Sequence, residues 1–231
     1  IGIGLLIITQ GWGVASETPA PKDKPLIIID PGHGGHDKGA QGAGGSVEKE
    51  ISLGFAEILA KMLQPEYRVA LTRTGDYQVS LEKRASMANH QKGACFISLH
   101  VGGFPRVGLN AWGVYYFAPS EKRPGMSETA GSMSDSARVR NWRQIQAQYL
   151  QTSKTLAETL KASLEECPDI DGVESVEAPL LVLEGIDMPA VIVEMGYLTN
   201  PSCESRLRNP DFRTETAACL RRGIDQFFSG K

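Results

Sequence analysis

Leu26-Ile27-Ile28-Ile29-Asp30-Pro31-Gly32-His33-Gly34-Gly35 is the stretch that decides the fold. Four aliphatic residues in a row, closed by an acid, a proline and a glycine, read as a buried strand that stops abruptly. A continuous apolar run suits a strand covered on both faces, and so a sheet between helices. Glycines around His33 let the chain turn tightly and leave the imidazole uncrowded. In open α/β sheets the site lies just beyond the carboxyl end of such a strand. His33 is therefore the first place to look for a metal ligand, with an ordinary turn histidine as the alternative.

Working outward, the same grammar repeats. After a glycine-rich loop, Gly39 to Gly45, an amphipathic pattern carries Ile51, Phe55, Ile58, Leu59, Met62 and Leu63 and ends at Pro65. Ser46 is its expected N-cap. Tyr67 to Thr72 reads as a second strand, and Ser80 caps a helix through Leu81, Ala85 and Ala88. Ala94 to Leu99 is a third strand ending in His100 beside Gly102 and Gly103, so the pattern of strand, histidine and glycines recurs. Trp112 to Phe117 is a fourth strand by its aromatic and β-branched content. Pro119 to Ser136 is a polar loop without periodicity, and Arg138 to Glu166 reads as one long helix. Pro179 to Leu183 is an expected short strand, and Ala190 to Val193 a buried one that ends in Glu194-Met195-Gly196. Ser202 is the expected cap of a short helix, and Asp211 to Phe228 closes the chain as a helix.

Strands alternating with helices predict an α/β domain. The 231 residues suffice for one such domain with an appendage, here residues 1–24 followed by a domain over 25–231. The apolar start, Ile1 to Thr9, is too short to span a bilayer, and Gly13-Val14-Ala15 has the small residues found before a signal-peptidase cut. It reads as the remainder of a secretory signal or an anchor, followed by a linker through Lys24. Either way, export is expected. A net charge of −3 offers no basic field, so nucleic acid is not an expected partner. Cys95, Cys167, Cys203 and Cys219 form no C-x-x-C pair, which excludes a zinc ribbon. Cys95, in an apolar run, is expected to be buried, and Cys203–Cys219 is the disulfide candidate.

Three strands thus offer His33, His100 and Glu194 where α/β sheets place their sites, and Glu48 opens the helix after the first histidine loop. Two histidines, one carboxylate and an open fourth position make a catalytic zinc site, with a further carboxylate as general base. The spacing does not say which of Glu48 and Glu194 is ligand and which is base. Glu48 could also serve only the helix dipole.

Several separated segments resemble one family. Ile29-Asp30-Pro31-Gly32-His33-Gly34-Gly35 is similar to the opening motif of zinc-dependent N-acetylmuramoyl-L-alanine amidases (amidase type 3). So are Glu48-Lys49, Leu71-Thr72-Arg73, Ser80-Leu81-Glu82-Lys83-Arg84, Ser98-Leu99-His100 and the run Met188 to Asn200, in the same order. The resemblance spans about Lys24 to Phe228. It implies a single domain with a mixed sheet of about six strands, zinc held by His33, Glu48 and His100, and Glu194 as the acid/base. It also implies peptidoglycan as substrate, a periplasmic or envelope location, a monomer, and an activator protein as a candidate partner. Two departures stand out. Val101-Gly102 follows the third-strand histidine where the family usually has Ala-Asn, and His36 stands in the first loop, where a rim position is expected rather than a fourth ligand. Some members carry an occluding helix after the fourth strand. The segment Pro119 to Ser136 is short and polar for that, so a self-blocked site is not expected. The competing readings are another zinc peptidase and a non-catalytic wall-binding adaptor.

Overall fold

The computed structural model describes residues 24–102, 112–118 and 145–230. The element order is β1 (Leu26–Pro31), α1 (Glu48–Leu63), β2 (Arg68–Leu71), α2 (Leu81–Gln91), β3 (Cys95–Gly102), β4 (Trp112–Phe117), α3 (Leu150–Glu165), β5 (Val173–Ala178), β6 (Ala190–Tyr197), α4 (Pro201–Arg208) and α5 (Pro210–Ser229). The strands form one six-stranded sheet in the order β2-β1-β3-β6-β4-β5. β2, β1, β3 and β6 run parallel, β4 is antiparallel to β6, and β5 is parallel to β4. The expected mixed six-stranded α/β sheet is therefore present.

Side-chain alternation sorts the apolar residues onto two faces. Ile27 and Ile29 of β1, with Ile97, Leu99, Val191 and Val193, pack against Phe55 and Leu59 of α1, Leu156 and Leu160 of α3, and Leu220 and Ile224 of α5. The opposite face carries Leu26, Ile28, Phe96 and Ile192 against Ala85 and Ala88 of α2 and against Leu183 and Met188. On this second face the next positions along the strands are Asp30, Ser98, His100 and Glu194, at the carboxyl edge of the parallel strands. One face is thus apolar for most of its length and polar where the helices no longer cover it.

Several local expectations change. Pro179 to Leu183 is not a strand; Leu181–Leu183 is a 3₁₀ turn that packs Leu183 beneath α2. The strand in that region is Val173–Ala178, an edge strand whose half-exposed, glutamate-containing sequence carries little apolar signal. The long helix begins at Leu150, after a 3₁₀ turn over Gln146–Tyr149; buried Gln146 donates to the carbonyls of Ile186 and Met188 there. Residues 119–144, with the start of that expected helix and the loop Pro119 to Ser136, lie outside the described residues, as do 1–23. Ser80 caps α2 as expected. The cap of α4 is Asn200 rather than Ser202, because Pro201 occupies the first helical position and the Asn200 Oδ1 accepts from the Ser202 and Cys203 amides. The disulfide is Cys167–Cys219, with Cα atoms 6.0 Å apart, not Cys203–Cys219. α3 and α5 pack side by side, which brings the chain after α3 onto α5. Cys203 is buried instead on α4, with its sulfur against Gly196 of β6. Cys95 is buried and unbridged, as expected.

Candidate metal centre

His33 lies two residues past the end of β1, His100 lies in β3, and Glu48 opens α1. The Glu48 carboxylate lies between the two rings: Oε2 is 3.0 Å from His33 Nε2 and Oε1 is 3.0 Å from His100 Nδ1. The same oxygens accept backbone hydrogen bonds from Ala40 (2.8 Å) and Val101 (2.9 Å). Burial opposes the Glu48 charge, but hydrogen bonds from His100 and His33 outweigh it and hold the carboxyl far below the ordinary carboxylate range. For His33, burial disfavours the protonated ring, while Glu48 and Asp37 favour it more and raise its pKa.

Glycines shape the space around these groups. A Cβ at position 32 would lie 2.5 Å from the His100 ring, and one at 39 would lie 2.4 Å from Glu48 Oε2 and 2.6 Å from the His33 ring. One ligand atom from each of His33, Glu48 and His100 lies within 4.8 Å of the others. Two imidazoles and a carboxylate converging in a cradle that a methyl group would fill is a donor set suited to a divalent metal ion. His36 is exposed and outside this cluster.

Glu194 reaches the site through strand register. It pairs with His100 across β3 and β6 and with Gly113 across β4. β6 does not stop at Val193 but continues past Glu194 to Tyr197. Burial pushes the Glu194 carboxyl up, His100 opposes this, and the Glu48 charge adds to it. Its Oε2 is buried with no hydrogen-bond partner among the described residues. An orphaned carboxylate oxygen is costly unless something meets it.

Supporting residues that the sequence reading left without a role complete the site. His33 Nδ1 meets Asp37 Oδ2 at 2.9 Å, which turns Nε2 toward Glu48. His33 is itself in the left-handed region, at φ 60°, where a non-glycine residue is strained. The turn is held by two buried arginines. Arg84 donates to the Val79, Pro31 and His33 carbonyls and pairs with Asp30 at 2.5 Å. Arg73 donates to Pro31, Gly32, Lys49 and Gly75 carbonyls. Asp30, fully buried, also accepts from Thr72 and from Ser98 at 2.7 Å. An acid ending an aliphatic strand was the signal available for this network, since such a group needs partners.

The centre lies in a trough. One arm, of about 330 Å³, is bounded by Gly102, Tyr115, Leu180 and Tyr197; the other, of about 250 Å³, by Asp37, Gln78, Ser80, Leu81 and Val182. Both include His33, His100 and Glu194. The Val101-Gly102 departure leaves the ligand cluster intact: the Val101 amide holds Glu48, and Gly102 leaves room for the Tyr197 ring, 2.6 Å from where a Cβ would be.

Known proteins resemble this chain over most of its length. AmiA of Salmonella typhimurium, an N-acetylmuramoyl-L-alanine amidase, is 29% identical over 92% of this chain and 79% of its own length. The probable cell wall amidase LytH of Staphylococcus epidermidis is 29% identical over 95% of this chain and 66% of its own. Among solved structures, the amidase AmiC2 of Nostoc punctiforme superposes with a TM-score of 0.72 at 27% identity, over 89% of this chain and 98% of that one. The family model for N-acetylmuramoyl-L-alanine amidase matches residues 27–226, nearly the whole described domain, and the chain belongs to that amidase type 3 family of enzymes.

Proposed function

We propose that this chain is a zinc-dependent hydrolase that cleaves the amide between the lactyl group of N-acetylmuramic acid and L-alanine in peptidoglycan. The observation that carries this reading is the His33–Glu48–His100 cluster facing the orphaned, buried Glu194 oxygen in an open trough. His33, Glu48 and His100 would hold the ion. When bound, zinc supplies Lewis acidity for the water and for the scissile carbonyl. Glu194 takes the proton of the attacking water and returns it to the leaving L-alanine nitrogen. Its raised affinity for a proton, set by burial, suits a group that must both accept and donate. Asp37 keeps the His33 ring turned so that Nε2 faces Glu48. The trough's two arms leave room for substituents on both sides of the bond.

The substrate places the enzyme outside the cytoplasmic membrane, in the periplasm or envelope, with residues 1–24 as the export segment. Among the described residues no helix is long and apolar enough to cross a membrane.

The test is digestion of purified peptidoglycan by the chain, with and without a chelator, read by mass spectrometry. Stem peptides with a free L-alanine amine, lost on chelation and restored by zinc, are expected. Cleavage at other peptide bonds would favour a general zinc peptidase, and intact polymer with zinc bound would count against hydrolysis. Glu194→Ala should keep zinc and lose about 10²- to 10⁴-fold in turnover, the range of a general acid–base group.

A further inference from the structure

We propose that Glu204 is a positioning residue for the metal centre, setting the place of the Glu48 carboxylate from the helix that follows the Glu194 strand. The proposal rests on the metal-centre reading above.

The observation begins with a missing cap. α1 starts at Glu48, and its N-cap is Val47, which makes no side-chain hydrogen bond. Ser46, the residue expected to cap, is buried one position too early, and its Oγ has no hydrogen-bond partner among the described residues. The loop before α1 is held instead by a carboxylate from α4. Glu204 Oε2 accepts from the Gly44 amide at 2.8 Å and Oε1 from the Ser46 amide at 3.0 Å. Glu204 is only 3% exposed. It makes no ion pair within 4 Å among the described residues; backbone N–H groups meet its charge directly, and Arg208 acts on it from farther away.

The loop is built around that carboxylate. A Cβ at Gly42 would lie 2.2 Å from the Glu204 carboxyl carbon, and one at Gly44 would lie 3.0 Å from Oε1. The loop also closes on Glu48. The Ala40 carbonyl accepts from the Glu48 amide, and the Ala40 amide donates to the Glu48 carboxylate. Displacing Gly44 and Ser46 would therefore shift both ends of Glu48. The first amides of α1 are met by the Ala40 and Lys38 carbonyls, so the carboxylate serves the loop rather than the helix. What the remote carboxylate adds is a rigid link, because α4 follows β6 through one tight turn and β6 carries Glu194. The two carboxylates of the site, Glu48 and Glu194, are thereby held in one frame.

The experiment measures zinc affinity of the full chain by competition with a chelating dye, in the parent, Glu204→Gln and Leu207→Ala. Glutamine places an amide NH₂ against one of the two donors, so one clamp bond is lost. Leu207 lies on the same helix and is fully buried, so its truncation controls for plain destabilisation. Zinc affinity should fall about 10- to 100-fold in Glu204→Gln, the usual cost of removing a supporting partner of a ligand. In zinc-free protein, the Gly44 and Ser46 amide resonances should shift in this variant. Leu207→Ala should lower Tm yet keep the parent's zinc affinity. Parent-like affinity in Glu204→Gln would overturn the proposal, as would an equal loss in Leu207→Ala. A parent chain that binds no zinc would fail the metal-centre reading itself. A parent that binds zinc but cleaves no peptidoglycan would fail only the amidase reading.

Discussion

The His33 turn and the Glu48 loop do the same work with opposite charges. Each brings a ligand to one point. The first leaves a strand end, where carbonyl oxygens lose their partners, and two buried arginines clamp the carbonyls of Pro31, Gly32 and His33. The second is the glycine-rich loop before α1, and a buried glutamate clamps its Gly44 and Ser46 amides. The lesson is that the sign of the clamp follows the direction of the backbone. Carbonyls turned inward call for cations and amides turned inward for anions.

The largest expected break is on the cationic side. Arg84→Met leaves the Asp30 carboxylate buried without its ion pair and frees the His33 carbonyl. Removing one partner of a buried pair costs about 3–5 kcal/mol, which urea denaturation would show. Asp30→Asn added to it should recover part of that loss, since the unpaired charge is then gone. Next comes Asp37→Ala, which frees His33 Nδ1 while leaving both clamps in place. Zinc affinity should fall about tenfold with little change in Tm, as for other partners of metal-bound histidines. Equal affinity would mean that the arginine-held backbone alone orients the ring.

A paired glycine test sharpens the anionic side. Gly39 and Gly45 both have positive φ, 65° and 90°, so alanine at either is strained, by about 1 kcal/mol. Only at 39 would the new methyl meet Glu48 and His33; at 45 nothing lies within 4 Å. Gly39→Ala should weaken zinc binding and Gly45→Ala should not.

The smallest effect is in pH. The Gly44 amide holds the Glu204 carboxyl below the ordinary range, against the cost of burial and with help from Ser46. A depressed folded pKa means stability that is complete above the unfolded value, about 4.3, and is lost as pH falls through the folded value. The stability gap between parent and Glu204→Ala should therefore be widest near neutrality and narrow below about pH 4. A gap that is flat with pH would show that the clamp does not depend on charge.

Much of this is legible in the sequence itself. Strand runs such as Ile27 to Ile29 and Val191 to Val193 are apolar because helices cover both faces, and that burial writes itself into composition. His33, His100 and Glu194 stand out because each follows or ends such a run, Glu48 because it opens the helix after the His33 loop, and their family motifs occur in order. β5 was missed because an edge strand need not be apolar. Ser46 and Ser202 fit capping rules because those rules are local; in this chain α1 has no side-chain cap and Asn200 caps α4.

What the sequence by itself determined is the layered α/β plan and the four candidate residues of the site, since both depend on local pattern. Only the tertiary structure decided which cysteines pair, which nitrogen of each histidine faces Glu48, and that Arg73, Arg84 and Glu204 hold the two loops. Those contacts join residues from 15 positions apart, His33 and Glu48, to 160 apart, Gly44 and Glu204. They follow from strand order and helix packing, which set distances that no local pattern encodes.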